Sequence, residues 1–216
     1  MNNYIPIDKL ERRIIDISFK DKLSHIGSCL TSVGIIDKIY KVKDKKDIFI
    51  LSNGHSFLAL AVVLEKYEGK DAEKLAKKHG THPNRDLKDG VHCSSGSLGQ
   101  GLPIAVGMAL ADRTRNVWVL LSDGECAEGS IWEALRIAAE NRLENLKVFV
   151  NINGYGGNGL IEVEYLEHRL KSFYPTFTMV TDMFKYPDYL NGLSGHYTVL
   201  NEDQYKEITN GHEKTI

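Results

Sequence analysis

Apolar residues recur at helical spacing over Asp8–Lys20, where Leu10, Ile14 and Ile17 stand among charged residues, and this predicts an amphipathic helix. Thr31–Tyr40 repeats the pattern with Val33, Ile36 and Ile39. Asp47–Leu51 (DIFIL) reads as a short buried strand, and a helix is expected after His55. Asp71–His79 is a lysine-rich helical stretch with a solvated face, and from Thr81 to Gly101 glycine, serine and proline signal a loop. Val117–Leu121 (VWVLL) is a continuous apolar run of strand length, followed by the turn Ser122-Asp123-Gly124-Glu125. A helix across Ile131–Arg142 leads to a second buried strand at Leu146–Ile152 (LKVFVNI). Strand, crossover helix and strand make a βαβ unit, whose strands are expected to be parallel and whose hand is expected to be right. Past Gly159 the pattern predicts a short helix near Val163–Lys171 and a strand at Thr176–Thr181. With no internal repeat and no linker, the expectation is a single α/β domain over residues 1–216, a doubly wound and mainly parallel sheet with helices on both faces.

Composition narrows the function classes more than it narrows the fold. A length of 216 residues suits one such domain, and a net charge of −2 gives no basis for binding nucleic acid or an anionic membrane surface. The opening MNNYIPIDKLERR lacks the basic-then-apolar layout of a signal peptide, and the longest apolar run, Leu58–Leu64, falls far short of a membrane span. A soluble, cytoplasmic protein is expected. Cys29, Cys93 and Cys126 form neither a CxxC pair nor a disulfide framework, so buried free thiols are expected.

Candidate chemistry gathers at the two strand ends. Ligands of open parallel sheets bind beyond the carboxyl ends of the strands. There, Asp123 offers a hard anionic oxygen and Asn153 a neutral one, the donor types magnesium takes alongside phosphate and water. Gly124 lets its N–H approach a phosphate closely. Taken alone, a DG and an NG are more often turns than sites.

Asp123 and Asn153 are 30 positions apart, with Glu128-Gly129 and Trp132-Glu133-Ala134 between them. That layout is similar to the thiamine diphosphate fingerprint of the transketolase family, which opens on a GDG-type turn and closes on an asparagine. Further segments resemble the same family in its order. Ser24-His25-Ile26-Gly27 with Leu30-Thr31-Ser32 resembles its GHxG…LS entry, and Leu51-Ser52-Asn53-Gly54-His55 its LSKGH motif. Thr81-His82-Pro83 stands where the family has another active-site histidine, and Gly96-Ser97-Leu98-Gly99-Gln100-Gly101 resembles its GPLGQG loop. The departures are Ser122 for the first glycine, Asn53 for lysine and Ser97 for proline. The likeness runs roughly from residue 24 to residue 159, and the chain after Gly159 looks shortened by a helix–strand segment.

The resemblance implies the N-terminal, cofactor-binding half of a split transketolase, which moves a two-carbon ketol unit from a ketose donor to an aldose acceptor. It implies thiamine diphosphate held through Mg2+, or another divalent cation such as Ca2+ or Mn2+, by Asp123, Asn153 and the carbonyl of Tyr155. His55, Gly96, Ser97, Leu98, Asp123, Gly124, Glu125, Asn153 and His196 are the cofactor-binding positions it implies. His25, His55, His82 and His196 are the catalytic imidazoles, and Glu128 takes a catalytic role at an interface between subunits; Glu133 reads as structural. His79, His92, His168 and His212 match nothing in the family and read as structural. The partner implied is a separately encoded C-terminal subunit with a pyrimidine-binding domain and a third domain, assembled as α2β2, with sugars as substrates. The alternatives are another thiamine diphosphate subunit, such as a 2-oxo acid decarboxylase or dehydrogenase component or a deoxyxylulose-phosphate synthase-like protein, and a non-catalytic scaffold that keeps the fold. A dinucleotide site is disfavoured because the glycine loop lacks GxGxxG order after a strand. The donor and acceptor sugars stay open.

Overall fold

The computed structural model describes residues 7–157, 159–181 and 186–210. Asp8 opens the first helix, α1 (Lys9–Asp21): its carboxylate accepts the N–H groups of Leu10 and Glu11, and the Glu11 side chain accepts the Asp8 N–H in return. This is a capping box with aspartate in the serine position. Its apolar stripe, Ile14, Ile15 and Ile17, is fully buried against α2 (Ile26–Val42) and α3 (Phe57–Glu68).

Four strands, β1 (Ile48–Leu51), β2 (Val117–Ser122), β3 (Leu146–Ile152) and β6 (Thr176–Val180), pair in parallel in the order β1-β2-β3-β6. Between β3 and β6 lie a small hairpin, β4 (Tyr155–Gly156) with β5 (Gly159–Leu160), and α7 (Val163–Phe173). Side chains alternate across the sheet. Ile48, Ile50, Val119, Leu121, Val148 and Val150 face α5 (Gly101–Ala111), α6 (Gly129–Glu140) and α7. Phe49, Leu51 and Leu120 face α1, α2, α3 and α4 (Ala72–His79). Burial on both faces explains why the strands read as continuous apolar runs instead of alternating ones. The strand order follows the chain order in one direction. The second helical layer therefore comes from α1 and α2, which precede the sheet, and from α3 and α4, which start the β1–β2 crossover.

The predicted strands and helices appear within a few residues of their expected places, α2 beginning earlier, at Ile26. Two regions were not anticipated. Residues 101–111 form α5, a helix apolar all round (GLPIAVGMALA), so no 3.6-residue period marks it. After β6 come α8 (Gly192–Tyr197) and α9 (Glu202–Asn210), too short for a periodicity to show. Among the described residues β6 is an edge strand. Its Phe177 stacks on Phe149 at 4.8 Å and Phe149 on Trp118 at 6.0 Å, and Phe177 is left 52% exposed. Cys29, Cys93 and Cys126 are buried free thiols, and burial pushes Cys29 and Cys126 up to about 12, far from nucleophilic. Among the described residues no helix is long and apolar enough to cross a membrane.

All four strands are parallel, so their carboxyl ends share one edge of the sheet. Onto that edge open the segments following Leu51, Ser122 and Ile152.

Candidate functional site

A cavity of about 280 Å³ lies at this edge, with a carboxylate and an amide at one end and histidines at the other. Asp123 follows the last residue of β2 and is 2% exposed. Its Oδ2 accepts the N–H groups of Asn153 at 2.9 Å and Gly154 at 2.8 Å, and its Oδ1 accepts the Gly124 N–H at 3.0 Å. Asp123 thus ties the β2 turn to the β3 turn. The Asn153 Oδ1 in turn accepts the Tyr155 N–H at 3.0 Å and shapes the β4 hairpin. Burial pushes the Asp123 carboxyl up to about 6, against the three backbone donors that hold it down. Among the described residues Asp123 makes no ion pair, and a desolvated carboxylate of this kind is suited to a cation brought by a ligand. Gly124 faces Gly156, and a Cβ at Gly124 would stand 3.4 Å from the Gly156 Cα, so the two turns meet backbone to backbone.

The histidine end is assembled from separate segments. His25 precedes α2, His55 sits in the single turn Gly54–Ser56 after β1, His82 belongs to the loop after α4, and His196 is on α8. The His25 ring lies 4.1 Å from that of His196, 6.0 Å from His55 and 6.3 Å from His82, centroid to centroid. His25 holds a left-handed backbone, φ 63°, rare for a residue with a side chain though less so for histidine. Its N–H donates to the His196 carbonyl at 3.0 Å and its Nδ1 pairs with the Ser24 hydroxyl at 2.8 Å, which fixes the ring against α8. Gly96, at φ 142°, lies flat on the His82 ring, where a Cβ would come within 2.8 Å of it.

Burial, then mutual repulsion, pushes His25 down to about 4 and His55 down to about 3, and lowers His196 as well. These rings are therefore neutral at pH 7, each with one donor and one acceptor nitrogen. Linkage gives the sign. The unfolded chain takes up protons near pH 6.5 that the folded chain refuses, so the stability contributed is complete above that pH. It is lost as the pH falls from 6.5 toward about 4 for His25 and about 3 for His55. Thermal melts between pH 7 and pH 4.5 are expected to show the midpoint falling on acidification, and a His55→Gln variant is expected to fall less by several degrees. A variant that tracks the wild type would show that His55 carries no such linkage.

Of the positions expected to bind the cofactor or metal, His55, Gly96, Leu98, Asp123, Gly124, Asn153, Tyr155 and His196 line this cavity, and His25 and His82 share it. Three expected residues stand elsewhere. Ser97 is exposed and outside the wall. Glu125 is fully buried beneath the floor, bonded to loops instead of facing the cavity. Glu128 is exposed at the start of α6, packed on Gly99, where an interface role remains open to it. Asn53 is turned away as well, its Nδ2 donating to the Ser32 and Ser56 hydroxyls in a buried polar layer. Ser122 lines the cavity and its hydroxyl accepts the Glu125 N–H at 3.4 Å, so serine is accommodated at the turn. The sequence reading missed the walls supplied by Gly156, Gly157, Gly192, Leu193 and Tyr197. The glycines carry no chemical signature, though a glycine pair beside an NG turn is a signal of close backbone approach. His79 pairs with Asp89, and His92 and His168 do not line the cavity; His212 lies outside the described residues.

The donor set fits a cation that arrives with phosphate. One carboxylate, one carboxamide and a backbone carbonyl are too few oxygens to complete an octahedron, and magnesium characteristically keeps phosphate and water in its shell. The one grouping that could hold an ion among the described residues, His79, Asp86 and Asp89, does not line the cavity, and its two carboxylates already hold the Lys78 ammonium.

Comparison with known proteins converges on the stretch of chain that builds this site. Residues 37–182 match the family model described as transketolase, thiamine diphosphate binding domain. The chain is 31% identical over 175 residues to an apulose-4-phosphate transketolase subunit of Phocaeicola vulgatus, covering 72% of this chain and 62% of that protein. It is 31% identical over 175 residues to the 6-deoxy-6-sulfo-D-fructose transketolase subunit SqwG of a Clostridium species, covering 70% and 64%. In fold it superposes on a transketolase from Campylobacter jejuni with a TM-score of 0.72 at 20% identity, covering 97% of this chain and 43% of the other. A transketolase from Pichia stipitis gives a TM-score of 0.72 at 23% identity, covering 95% and 41%. The chain thus spans less than two thirds of the length of these relatives. With the family model extending over both metal-type strand ends and two of the four cavity histidines, the chain belongs to the transketolase family through its thiamine diphosphate binding domain.

Proposed function

We propose that this chain is the cofactor-binding subunit of a two-subunit, cytoplasmic transketolase, active only with a separately encoded partner that carries the pyrimidine-binding domain and a third domain. The observation that supports it is one cavity that holds a buried carboxylate, a half-buried carboxamide and a cluster of four imidazoles. Asp123, Asn153 and the Tyr155 carbonyl would hold magnesium and through it the diphosphate, with Gly124 giving its backbone to a phosphate oxygen. When bound, thiamine diphosphate supplies the carbanion chemistry that no side chain here provides. The chain's own part is to hold that group and to manage protons. His25, His55, His82 and His196 would accept and donate the hydroxyl protons of a sugar, and His25, His55 and His196, held neutral, would do so without the cost of a buried charge. Leu98, Leu193 and Tyr197 at the wall would limit water.

Both relatives are named as subunits of their transketolases, which supports a separate partner here, with which the chain would assemble as α2β2. Their names specify one phosphorylated and one sulfonated sugar. No lysine or arginine lines the cavity among the described residues, so an anionic end of the substrate would be bound by the partner. The test is reconstitution. The purified chain with magnesium and thiamine diphosphate is expected to show negligible ketol transfer, and adding the partner is expected to restore it with ketose donors and not with pyruvate. Robust transfer by the single chain would refute the split assembly, and pyruvate turnover would move the chain to another thiamine diphosphate class.

A further inference from the structure

Three segments of the chain converge on the fully buried side chain of Glu125. Its Oε1 accepts the Ser52 hydroxyl at 2.6 Å and the Gly99 N–H at 3.0 Å, and its Oε2 accepts the Ser122 N–H at 3.0 Å. Each donor stands beside a wall of the cavity: Ser52 leads into His55, Gly99 follows Leu98, and Ser122 precedes Asp123. The packing around them leaves no slack. A Cβ on Gly101 would run into the Ser52 side chain, and one on Gly99 would lie 2.6 Å from the Ser130 hydroxyl. The glycine loop therefore rests directly on the β1 turn, with the carboxylate as the common acceptor between them. A carboxylate suits this place because it only accepts, whereas an isosteric amide turns an NH2 group toward a donor it cannot bond.

We propose that Glu125 is a positioning residue, whose carboxylate fixes the β1 turn, the glycine loop and the β2 turn in the one mutual register that lets His55, Leu98 and Asp123 face a single cavity. It does not line the cavity and acts only through the three loops. The consequence for cofactor binding rests on the proposed function; the consequence for loop order does not.

Amide hydrogen exchange on the full chain, wild type against Glu125→Gln, separates positioning from bulk stability. The expected result is exchange faster by about tenfold or more in residues 52–56, 96–101 and 122–125, with the amides of β2 and β3 still protected. Affinity for magnesium thiamine diphosphate is expected to weaken about 10–100-fold, as for other residues that orient a metal site from behind. Should the glutamine variant fail to fold, Ser52→Ala, which removes one donor and keeps the carboxylate, is read in the same way. It is expected to loosen residues 52–56 and 96–101 to a smaller degree. Unchanged loops, or exchange that rises evenly over the sheet, overturns the proposal. If the wild-type chain assembled with its partner gains no protection from magnesium thiamine diphosphate, the cofactor reading falls, and the loop exchange still decides the role of Glu125.

Discussion

Replacing Asp123 by alanine is expected to abolish the thermal stabilisation that magnesium thiamine diphosphate gives the assembled enzyme. A ligand at about 100 times its dissociation constant stabilises by about 2.7 kcal/mol, which for a domain of this size is about 5–10 °C in melting temperature. Asp123 is the one anionic group at the carboxylate end of the cavity, so its removal takes away the charge that would draw in the cation. The variant also loses a structural role, because the N–H groups of Gly124, Asn153 and Gly154 all donate to this carboxylate. Three unmade bonds at a partly solvated cavity are expected to lower the melting temperature without cofactor, each by the equivalent of about 1 kcal/mol. The two effects are separated by comparing each protein with and without cofactor: the difference, not the baseline, reports the metal grip. A variant that keeps the full increment would show that the cation, if any, is held elsewhere.

Gly195→Ala is expected to lower turnover by about 100-fold while leaving most of the cofactor increment in place. Gly195 lies on α8 against the Leu190 carbonyl, with no room for a Cβ, and its Cα is 3.3 Å from where a Cβ on Gly27 of α2 would be. Two glycines thus let α8 dock on the start of α2, and that docking brings the His196 carbonyl to the His25 N–H. A methyl group at 195 must push α8 away, and overpacking of this kind costs about 1–3 kcal/mol. A shift near 1 Å in a catalytic group is enough for a loss of about two orders of magnitude in rate. The Asp123 and Asn153 side chains are set by the β2 and β3 turns, and α8 meets that end where Gly192 packs on the Tyr155 ring, three residues from the Gly195 contact. Ketol transfer is therefore expected to fall much further than cofactor-dependent melting. Steady-state assay of the reconstituted pair and paired melts measure both. Unaltered turnover would refute the catalytic role proposed for His196.

The parts of this molecule that were legible in the sequence are those whose signal is local. β2 and β3 announce themselves as apolar runs with a helix between them, and α1 by its stripe and its Asp8 cap. The strand ends then locate Asp123 and Asn153 at one edge before any coordinate is known, because parallel strands leave no other option. What was hidden is set by contacts distant in sequence or by uniform composition. α5 has apolar residues on every side, so no period distinguishes it. The Glu125 acceptor pairs with Ser52 and Gly99, 73 and 26 positions away, and nothing around Glu125 itself signals a buried group. Its neighbours Asp123 and Gly124 made it look like a member of the wall. The histidines are an intermediate case. No pattern of spacing joins His25, His55, His82 and His196, and only the resemblance to a family put them together before the fold did.

That each imidazole rides on its own connecting segment makes the histidine end of the cavity modular. The sheet and its metal-type turns can stay constant while a single connection lengthens or shortens, and each such change redraws one wall. His196 arrives on a six-residue helix, docked on the start of α2 through Gly27 and Gly195. A change of length between Leu190 and Tyr197 would thus move one wall and leave the β2 and β3 turns where they are.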